Sequence, residues 1–468
     1  MSFPRYERYK DSGVEWLGKV PENWMISRLG FESWVRARLG WKGLKAEEYV
    51  DDGFVFLSTP NIKSSCIDFE NVNYISEDRY LESPEIKLRV GDVLLAKDGS
   101  TLGTVNVVRS LPRPATVNSS IAVITPHPSL DGVFLHYLFQ SSFMKDTIQR
   151  IKGGMGVPHL FQEDLNKFYI PVPSTSEQFA VASFLDSETA KIDGSIDEQR
   201  RLIELLKEKR QAVIFHAVTK GLNPHVPVKD SGIEWLGEVP EHWTVCALNH
   251  RYEVALGKML DGNRITGEHL APYLRNVDVQ WGKINTNDLP VMDFKGEDLN
   301  RYSLRAGDLL VCEGGEVGRS AVWEGELTEC FYQKALHRLR PHSGKESVYF
   351  LFYALSIAAT LGVFTASGDK ATIAHLPADI FRHHRFAFPP FEEQLAIAGF
   401  LGREVTKMDQ LISQANDAAA LLQERRTALI SAAVTGKIDV RSLSRDSDGR
   451  GEWEASQHIE AAVLVGAE

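Results

Sequence analysis

The sequence is poor in cysteine and contains no long apolar run. Its 468 residues include only four cysteines, at positions 66, 246, 312 and 330, and no two of them have the close C-x-x-C type of spacing found at zinc sites. This scarcity excludes a disulfide framework and favours a reducing, cytoplasmic location. No stretch of about 18 apolar residues is present, so no membrane span is expected. The first 16 residues lack the apolar core of a signal peptide.

Positive charge is also in deficit. Lysine and arginine total 52 against 63 acidic residues, which gives a net charge of −11 at pH 7. This balance argues mildly against a general binder of polyanions, although net charge does not describe local patches. The hydrophobic fraction of 43% and the charged fraction of 25% are ordinary for a globular protein.

One long segment occurs twice in the chain. Residues 10–24, KDSGVEWLGKVPENW, return at 229–243 as KDSGIEWLGEVPEHW, and the two copies differ at only three positions. Two further matches follow in the same order: RVGDVLL at 89–95 with RAGDLLV at 305–311, and IPVPSTSEQFAVASFL at 170–185 with FPPFEEQLAIAGFL at 388–401. The spacing predicts a duplicated domain pair, because solenoid repeats run about 20–50 residues.

Each copy is predicted to contain a globular part and a long helix. The globular part mixes short apolar runs, typical of strands, with Gly and Pro turns. The helix carries apolar residues at a spacing of 3.5 over about five heptads, which is typical of a coiled coil. The predicted interface positions are Leu185, Ile192, Ile196, Ile203, Leu206 and Val213 in the first copy, and Leu401, Met408, Ile412, Leu422 and Leu429 in the second.

The short connection between the copies favours an antiparallel pairing of the two helices. A helix of about 36 residues is roughly 54 Å long, and a parallel pair would require residues 223–243 to travel back that whole length. The alternative is that each helix packs on its own globular domain. The expected fold class is α+β, with two pseudo-two-fold-related α/β domains separated by two long helices that form an antiparallel coiled coil. The predicted segments are 1–24, 25–176, 177–243, 244–390, 391–438 and a polar, disordered tail at 439–468.

The repeated motifs resemble those of a known family. The pattern S-G-[VI]-E-W-L-G-x-V-P-x-x-W, with a P-x-x-x-E-Q helix start, resembles the specificity subunits of type I restriction-modification systems over residues 10–438. The resemblance implies two target-recognition domains, each of which reads one half of an asymmetric bipartite site in double-stranded DNA. It implies that the coiled coil sets the spacer and docks two modification subunits, which methylate adenine, and that restriction/translocase subunits join this phage-defence assembly.

No catalytic motif is found, so the chain is expected to be a non-catalytic reader of DNA. The sequence F-P-P-F at 388–391 lacks the Asn of adenine methyltransferases, and the Gly-rich segment at 314–320 lacks the spacing of a phosphate-binding loop. No metal site is expected in this chain. By the resemblance, S-adenosylmethionine, ATP and Mg²⁺ belong to the partner subunits. The alternative function is a coiled-coil scaffold whose globular domains bind protein.

Candidate DNA contacts lie in polar, Gly-containing loops, where backbone can approach phosphate and lysine supplies charge. For the basic turns, the alternative is simple solvation. For the two histidines it is a structural anchor between loop and core. The candidates are Arg36, Arg38, Lys42, Lys97, Lys152, Gly153, Gly154 and His159 in the first copy, and Lys258, Arg319, Ser367, Lys370, Thr372 and His375 in the second.

Overall fold

The chain divides into two compact units. The computed structural model describes residues 3–37, 44–63, 65–151, 159–259, 266–365 and 375–443. The first unit combines Met1–Gln199 with Asp417–Glu468, and the second is Arg200–Asn416. Each unit therefore contains one globular part together with half of each long helix. The six segments expected from the sequence remain a prediction of domain limits.

The first copy alternates short strands and short helices before its long helix. Its elements are β1 (Tyr9–Asp11), β2 (Lys19–Pro21), β3 (Met25–Arg28), α1 (Leu29–Glu32), β4 (Ser33–Arg36), β5 (Phe54–Leu57), β6 (Asn73–Ile75), α2 (Glu77–Leu81), β7 (Val93–Ala96), β8 (Val105–Val107), β9 (Ala115–Val117), β10 (Ile121–Pro126), α3 (Gly132–Gln140), α4 (Ser142–Ile151), α5 (Gln162–Asn166), β11 (Tyr169–Val172) and α6 (Thr175–Lys220).

The second copy follows a similar order, with an added pair of short strands, no counterpart of α1, and one helix in place of α3 and α4. Its elements are β12 (Val228–Asp230), β13 (Glu238–Pro240), β14 (Thr244–Ala247), β15 (Tyr252–Leu256), β16 (Leu270–Leu274), β17 (Val279–Gln280), β18 (Lys283–Ile284), β19 (Val291–Asp293), α7 (Asp298–Arg301), β20 (Asp308–Cys312), β21 (Ser320–Trp323), β22 (Phe331–Tyr332), β23 (Leu336–Pro341), α8 (Val348–Thr360), α9 (Ala378–Phe381), β24 (Arg385–Phe388) and α10 (Phe391–Val434).

Both copies share one sheet topology. The four-stranded sheets have the orders β4-β10-β7-β8 and β15-β23-β20-β21, and all of their pairs are antiparallel. A three-stranded sheet accompanies each, β6-β5-β9 and β19-β16-β22, whose middle strand has one antiparallel and one parallel neighbour. A ribbon of the first and last strands, β3-β11 or β14-β24, closes each globular part. The α+β class and the duplication expected from the sequence are confirmed.

The repeated Arg-x-Gly-Asp motif is a tight turn that leads into an inner strand of each four-stranded sheet. The buried Asp92 carboxylate accepts a hydrogen bond from the backbone N–H of Arg89 at 2.8 Å. Gly91 has a φ of 93°, which other residues rarely adopt. The second copy repeats this turn at 305–308, with the same 2.8 Å bond. The two copies share this motif because the turn requires it.

The glutamine of the repeated Glu-Gln motif fixes the start of each long helix to the globular part. Gln178 is fully buried. Its side-chain oxygen accepts from the N–H of Asp131 at 2.7 Å, and its NH₂ donates to the carbonyls of Ser129 and Pro173 at 2.8 and 2.9 Å. Asp131 is also the N-cap residue of α3. One amide therefore connects the start of α6 to the start of α3.

The second copy uses Gln394 in the same way. Its side-chain oxygen accepts from the N–H of Ser347, the N-cap residue of α8, at 2.8 Å, and its NH₂ donates to the carbonyl of Pro389 at 3.0 Å. The Glu-Gln motif is therefore a structural connection and lies away from the candidate DNA contacts.

We expect Gln178→Ala to destabilise the first unit by about 3 kcal/mol, because it leaves one buried N–H and two carbonyls without this partner. Chemical denaturation of the purified chain would measure the change. Gln211→Ala is the matched control, since Gln211 is exposed on the same helix and its loss should cost less than about 0.5 kcal/mol. Equal midpoints for the two variants would contradict the structural role of Gln178.

The two long helices exceed the length expected from their heptads. They contain 46 and 44 residues, about 69 and 66 Å at 1.5 Å per residue, because each begins about ten residues before its first predicted interface position. All of the predicted interface residues on both helices are buried or half-buried.

Ion pairs within each unit give the direction of the helices. In the first unit, Arg426 of α10 donates from Nε to Asp193 of α6 at 2.8 Å and from Nη1 to Gln140 at 3.2 Å. In the second, Arg210 Nε of α6 lies 3.0 Å from Asp409 Oδ1 of α10. The N-terminal half of α6 therefore lies beside the C-terminal half of α10 in one unit, and the converse holds in the other. The helices are antiparallel in each unit.

Each helix pair is also part of the core of its unit. Ile192 and Ile196 of α6 and Leu429 of α10 belong to one cluster with the strands and helices of the first globular part. Val405 of α10 and Ala217 of α6 belong to the corresponding cluster in the second unit. The first part of each long helix therefore packs on its own globular part, as the alternative held. The two helices also pair with each other.

The segment that occurs at residues 10–24 and again at 229–243 packs against the end of a long helix through its last tryptophan. Trp243 is buried beside Gly221, which follows α6, and a Cβ on that glycine would lie 3.3 Å from the Trp ring. Trp24 occupies the same place beside Gly436, which follows α10. There, the N–H of Asp439 also donates to the carbonyl of residue 4 at 2.8 Å. In each unit this segment covers the C-terminal end of a long helix.

Candidate nucleic-acid interface

Several predicted DNA contacts of the second unit gather at one edge of its four-stranded sheet. Strands β15 and β20 end there, at Leu256 and Cys312, and strands β21 and β23 begin there, at Ser320 and Leu336. We call this side of the sheet, where these four strands begin or end, the free edge; the term does not refer to an outermost strand. The corresponding edge of the first unit is formed by the ends of β4 and β7 and the beginnings of β8 and β10.

The opposite edge of the second sheet holds the globular part to the helices. Arg340 donates two hydrogen bonds of 2.7 Å to the buried carboxylate of Asp308. Arg251 donates to Glu346 at 2.6 Å, and Glu346 accepts from Gln394 of α10 at 3.1 Å. Since that edge is connected to the start of α10, the free edge is the one that can meet an external ligand.

Lys258 follows β15 at the free edge, where its ammonium group is already engaged. It donates to the carboxylate of Asp298 at 2.8 Å and to the carbonyl of Asp293, and it lies 4.8 Å from the centre of the Phe294 ring. These contacts hold the segment after β15 against the three-stranded sheet. Contact of Lys258 with DNA remains a prediction.

Arg319 is also at the free edge and is mostly covered. Its Nη2 donates to the backbone and side-chain oxygens of Asn276, both at 2.9 Å, and its Nη1 lies 3.5 Å from Glu316. The side chain of Asn276 in turn donates to the carbonyl of Gly314 at 3.0 Å. Arg319 thus connects two loops of the edge, and its predicted contact with DNA is likewise untested.

His375 joins the edge through both its backbone and its ring. It forms an isolated β-bridge with Gly314, and its Nε2 lies 3.2 Å from a carboxylate oxygen of Glu313. Burial raises the pKa of Glu313, while the nearby His375 and Lys334 act in the opposite direction. The ring itself is half exposed, at 56%. His375 is therefore an anchor with one accessible face.

The first unit repeats this arrangement with different side chains. His159 forms a β-bridge with Asp98 and a side-chain hydrogen bond to the same residue. Its ring also packs edge-on against Phe161, with centroids 4.4 Å apart. Lys97 is nearly buried, with its ammonium 3.2 Å from the Asp98 carboxylate. The anchoring alternative for the histidines therefore has a geometric basis in both units, while their contact with DNA is untested.

Arg36 is buried among structural partners in the first unit. Its side chain is only 3% exposed, and it forms an ion pair of 2.8 Å with the buried Asp92. It also donates to the carbonyls of Glu85 and Lys87 at 2.9 and 3.0 Å. An arginine buried with such partners holds the fold, because separating a buried pair is strongly destabilising. Arg36 therefore has a structural role, and its contact with DNA stays a prediction.

The remaining predicted contacts lie outside the described residues. They are Arg38, Lys42, Lys152, Gly153, Gly154, Ser367, Lys370 and Thr372.

Two residues at the free edge were missed by the sequence analysis. Gln333 and Lys334 occupy the tight turn between β22 and β23, and Lys334 is exposed. Their signal in the sequence is only a polar pair between two short apolar runs, which is also typical of any solvated turn. Their position becomes informative once the sheet order places this turn beside Lys258 and Glu313.

Within the described ranges, no group of three or more His, Cys, Asp or Glu side chains is placed to hold a metal ion. No helix in the described part of the chain is long and apolar enough to cross a membrane.

A buried histidine supports the free edge and predicts acid sensitivity. Burial lowers the pKa of His337 to about 4, and its Nε2 lies 2.9 Å from the carbonyl of Leu376, next to His375. The unfolded chain binds this proton near pH 6.5, so the neutral ring stabilises the fold fully above that pH. The contribution is lost progressively as the pH falls from 6.5 towards 4, by up to about 3 kcal/mol.

We therefore expect His337→Gln to reduce the loss of stability between pH 6.5 and 4. Denaturant unfolding at several pH values would measure it. His225→Gln, at an exposed position of the same unit, is the control and should leave the pH profile unchanged. A His337→Gln profile identical to the parent would show that this ring does not contribute.

Comparison with known proteins gives a consistent result. A family model described as the type I restriction modification DNA specificity domain matches residues 39–204. The EcoKI specificity subunit of Escherichia coli K12 is 22% identical over 449 residues, which cover 92% of each chain. The MjaVIII specificity subunit of Methanocaldococcus jannaschii is 24% identical over 461 residues, covering 95% of this chain and 99% of the relative.

Solved structures share the fold. The HsdS subunit of Thermoanaerobacter tengcongensis is 17% identical and aligns with a TM-score of 0.54 over 90% of this chain and 98% of its own. A chain from a type I restriction-modification assembly is 19% identical and aligns with a TM-score of 0.63 over 89% and 98% of the two chains.

Proposed function

We propose that this chain, which belongs to the family of type I restriction-modification specificity subunits, selects the DNA sequence on which such a complex acts and carries out no chemistry itself. The observation that carries this proposal is the duplication. One sheet topology is present twice, each time with one edge held to the long helices and one edge free. Two free edges allow one chain to contact two separate parts of the same ligand.

The side chains at the two free edges differ, which predicts two unlike half-sites. Lys97 and Asp98 stand where the second copy has Glu313 and Gly314, so the copies share the anchoring histidine but not the residues that it contacts. Base edges in the major groove present distinct patterns of donors and acceptors, and different side chains therefore select different bases. We expect an asymmetric, bipartite target in double-stranded DNA.

The long helices supply the other part of the function. We propose that their antiparallel pairing sets the number of unread base pairs between the half-sites, and that their outer faces dock two modification subunits. Restriction/translocase subunits complete the assembly in the cytoplasm. By the same proposal, S-adenosylmethionine, ATP and Mg²⁺ bind to those partner subunits. No observation favours the alternative of a protein-binding scaffold.

The test is genome-wide mapping of methylated adenine in cells that carry this chain with its modification subunit. A bipartite motif with two unlike halves should be methylated, and it should disappear when the gene for this chain is removed. Methylation that persists without this chain would refute the proposal. Gel shifts with the purified chain, alone and with the modification subunit, would show DNA binding directly, whereas a protein scaffold would give none.

The purified chain alone should transfer no methyl group to DNA. Incubation with labelled S-adenosylmethionine and target DNA would measure this, with the reconstituted complex as the positive control. Incorporation by the isolated chain would contradict a purely recognising role.

A further inference from the structure

We infer that the turn formed by Gln333 and Lys334 is a specificity-determining element for the second half-site, with Gln333 reading a base and Lys334 holding an adjacent phosphate. This inference rests on the proposed function, because it assumes that the free edge faces DNA.

The turn is held rigidly on its β15 side. The N–H of Lys258 donates to the carbonyl of Tyr332 at 3.0 Å, and the N–H of Lys334 donates back to the carbonyl of Lys258 at 2.8 Å. Gly257 allows this approach, because a Cβ there would lie 2.3 Å from the carbonyl oxygen of Gln333. A glycine is therefore required for the two backbones to meet.

The other sides of the turn are fixed as well. The N–H of Gln333 donates to the carbonyl of Leu274 at 3.1 Å, and the carbonyl of Gln333 accepts from the N–H of Leu336 at 3.0 Å. The carbonyl of Ala335 accepts from Glu313 at 3.0 Å. Backbone bonds on three sides leave the turn little freedom, and preorganised donors of this kind bind with less ordering cost.

Lys334 of the turn is exposed and Gln333 is half-buried, and both differ from their neighbours in their side-chain contacts. Lys258 and Arg319, the cations selected from the sequence at this edge, are engaged with Asp298 and Asn276. Among the described residues, neither the Gln333 amide nor the Lys334 ammonium group has a hydrogen-bonding side-chain partner. In the part of the chain that the structure describes, the edge thus combines cations that are engaged with neighbouring side chains and one turn whose side chains are not.

The charged groups around the turn agree with the two proposed roles, in which Gln333 contacts a base and Lys334 contacts a phosphate. Lys334 is exposed, and Glu313 is 8% exposed and lies 3.2 Å from His375. Burial raises the pKa of Glu313, and the charges of His375 and Lys334 act to lower it. A lysine in such a position contacts phosphate as a point charge, whereas a glutamine amide pairs with N6 and N7 of adenine through two hydrogen bonds.

The test uses the full chain in complex with its modification subunit. Adenine methylation is mapped for Gln333→Ala, Lys334→Ala and the control Lys345→Ala, which removes an exposed lysine beyond β23, at the opposite edge of the same sheet. Gln333→Ala should relax one base of the second half-site and weaken binding of the parent site about tenfold to a hundredfold. The first half-site should be unchanged.

Lys334→Ala should weaken binding of all target sequences alike and lower the dependence of log affinity on log salt by about 0.9. Lys345→Ala should leave both the motif and the salt dependence as in the parent. Gln333→Glu is a second variant that keeps the size of the side chain, and it should shift the base preference at the same position, since a carboxylate accepts from cytosine.

An unchanged motif in both Gln333 variants, or a change in the first half-site, would overturn the inference while the proposed function stands. Equal effects of Lys334→Ala and Lys345→Ala would overturn the placement of DNA at the free edge. Absence of any bipartite motif in the parent complex would refute the proposed function, and this inference with it.

Discussion

Exchanging residues 244–388 for the same region of a similar specificity subunit should replace one half of the methylated DNA motif and leave the other half and the spacer unchanged. The segment contains the whole second globular part. It must include both β14 and β24, because these strands pair with each other residue by residue from Thr244–Phe388 to Ala247–Arg385. Well-separated parts of a protein contribute independently, so the first half-site should not respond. Methylome mapping of the hybrid strain provides the measurement.

The reciprocal exchange of residues 25–172 is the matched control, since β3 and β11 close the first globular part in the same way. It should replace the other half of the motif. A hybrid in which both halves change would contradict independent recognition. A hybrid that loses methylation altogether, but whose long helices keep their thermal stability, would mean that the exchanged part also docks a partner.

Inserting one heptad in each long helix, after Gln199 in α6 and after Ala415 in α10, should lengthen the unread spacer by about three base pairs. Seven residues add about 10.5 Å of helix, and base pairs are stacked about 3.4 Å apart. A heptad preserves the pattern of buried residues, and the two positions are equivalent in the repeat. Both half-sites should retain their base sequence, and methylome mapping reads the spacer directly.

A four-residue insertion after Gln199 alone is the comparison. It adds about 6 Å on one side only and rotates the following residues by about 40° relative to α10, so it disturbs the pairing and should reduce both stability and methylation. An active double-heptad variant with the parent spacer would show that the helices do not set the distance.

The architecture could be inferred from the sequence because its signals are local or repeated. The interface residues of the helices recur every 3.5 positions, and that periodicity survives in the structure because the residues face both the partner helix and the core. The apolar stretch over 131–151 forms two helices, α3 and α4, because Ser141 between them has an extended backbone. One extended residue between two helices does not interrupt the helical periodicity of the sequence, so this break could not be predicted.

The candidate interface was harder to infer, because a cation that binds DNA and one that holds a loop look alike in a sequence. Arg36 sits in a basic stretch, yet its partner Asp92 lies 56 residues away. Lys258 and Arg319 lie at the free edge, where their partners Asp298 and Asn276 give them a supporting role, and their contact with DNA stays a prediction. Gln333 and Lys334 gain meaning only from strand order, which no short motif encodes.

Both copies of the repeated segment, residues 10–24 and 229–243, pack against the end of a long helix. This packing has a consequence for the order in which the elements can be connected. After α6 the polypeptide runs directly into the second segment, whereas after α10 the first segment arrives from the other terminus, and residues 4 and 439 are joined by a hydrogen bond. The same junction is thus covalent once and non-covalent once. We expect a circularly permuted chain that begins between residues 222 and 228 to keep both junctions, because one of them is already held without a direct chain connection.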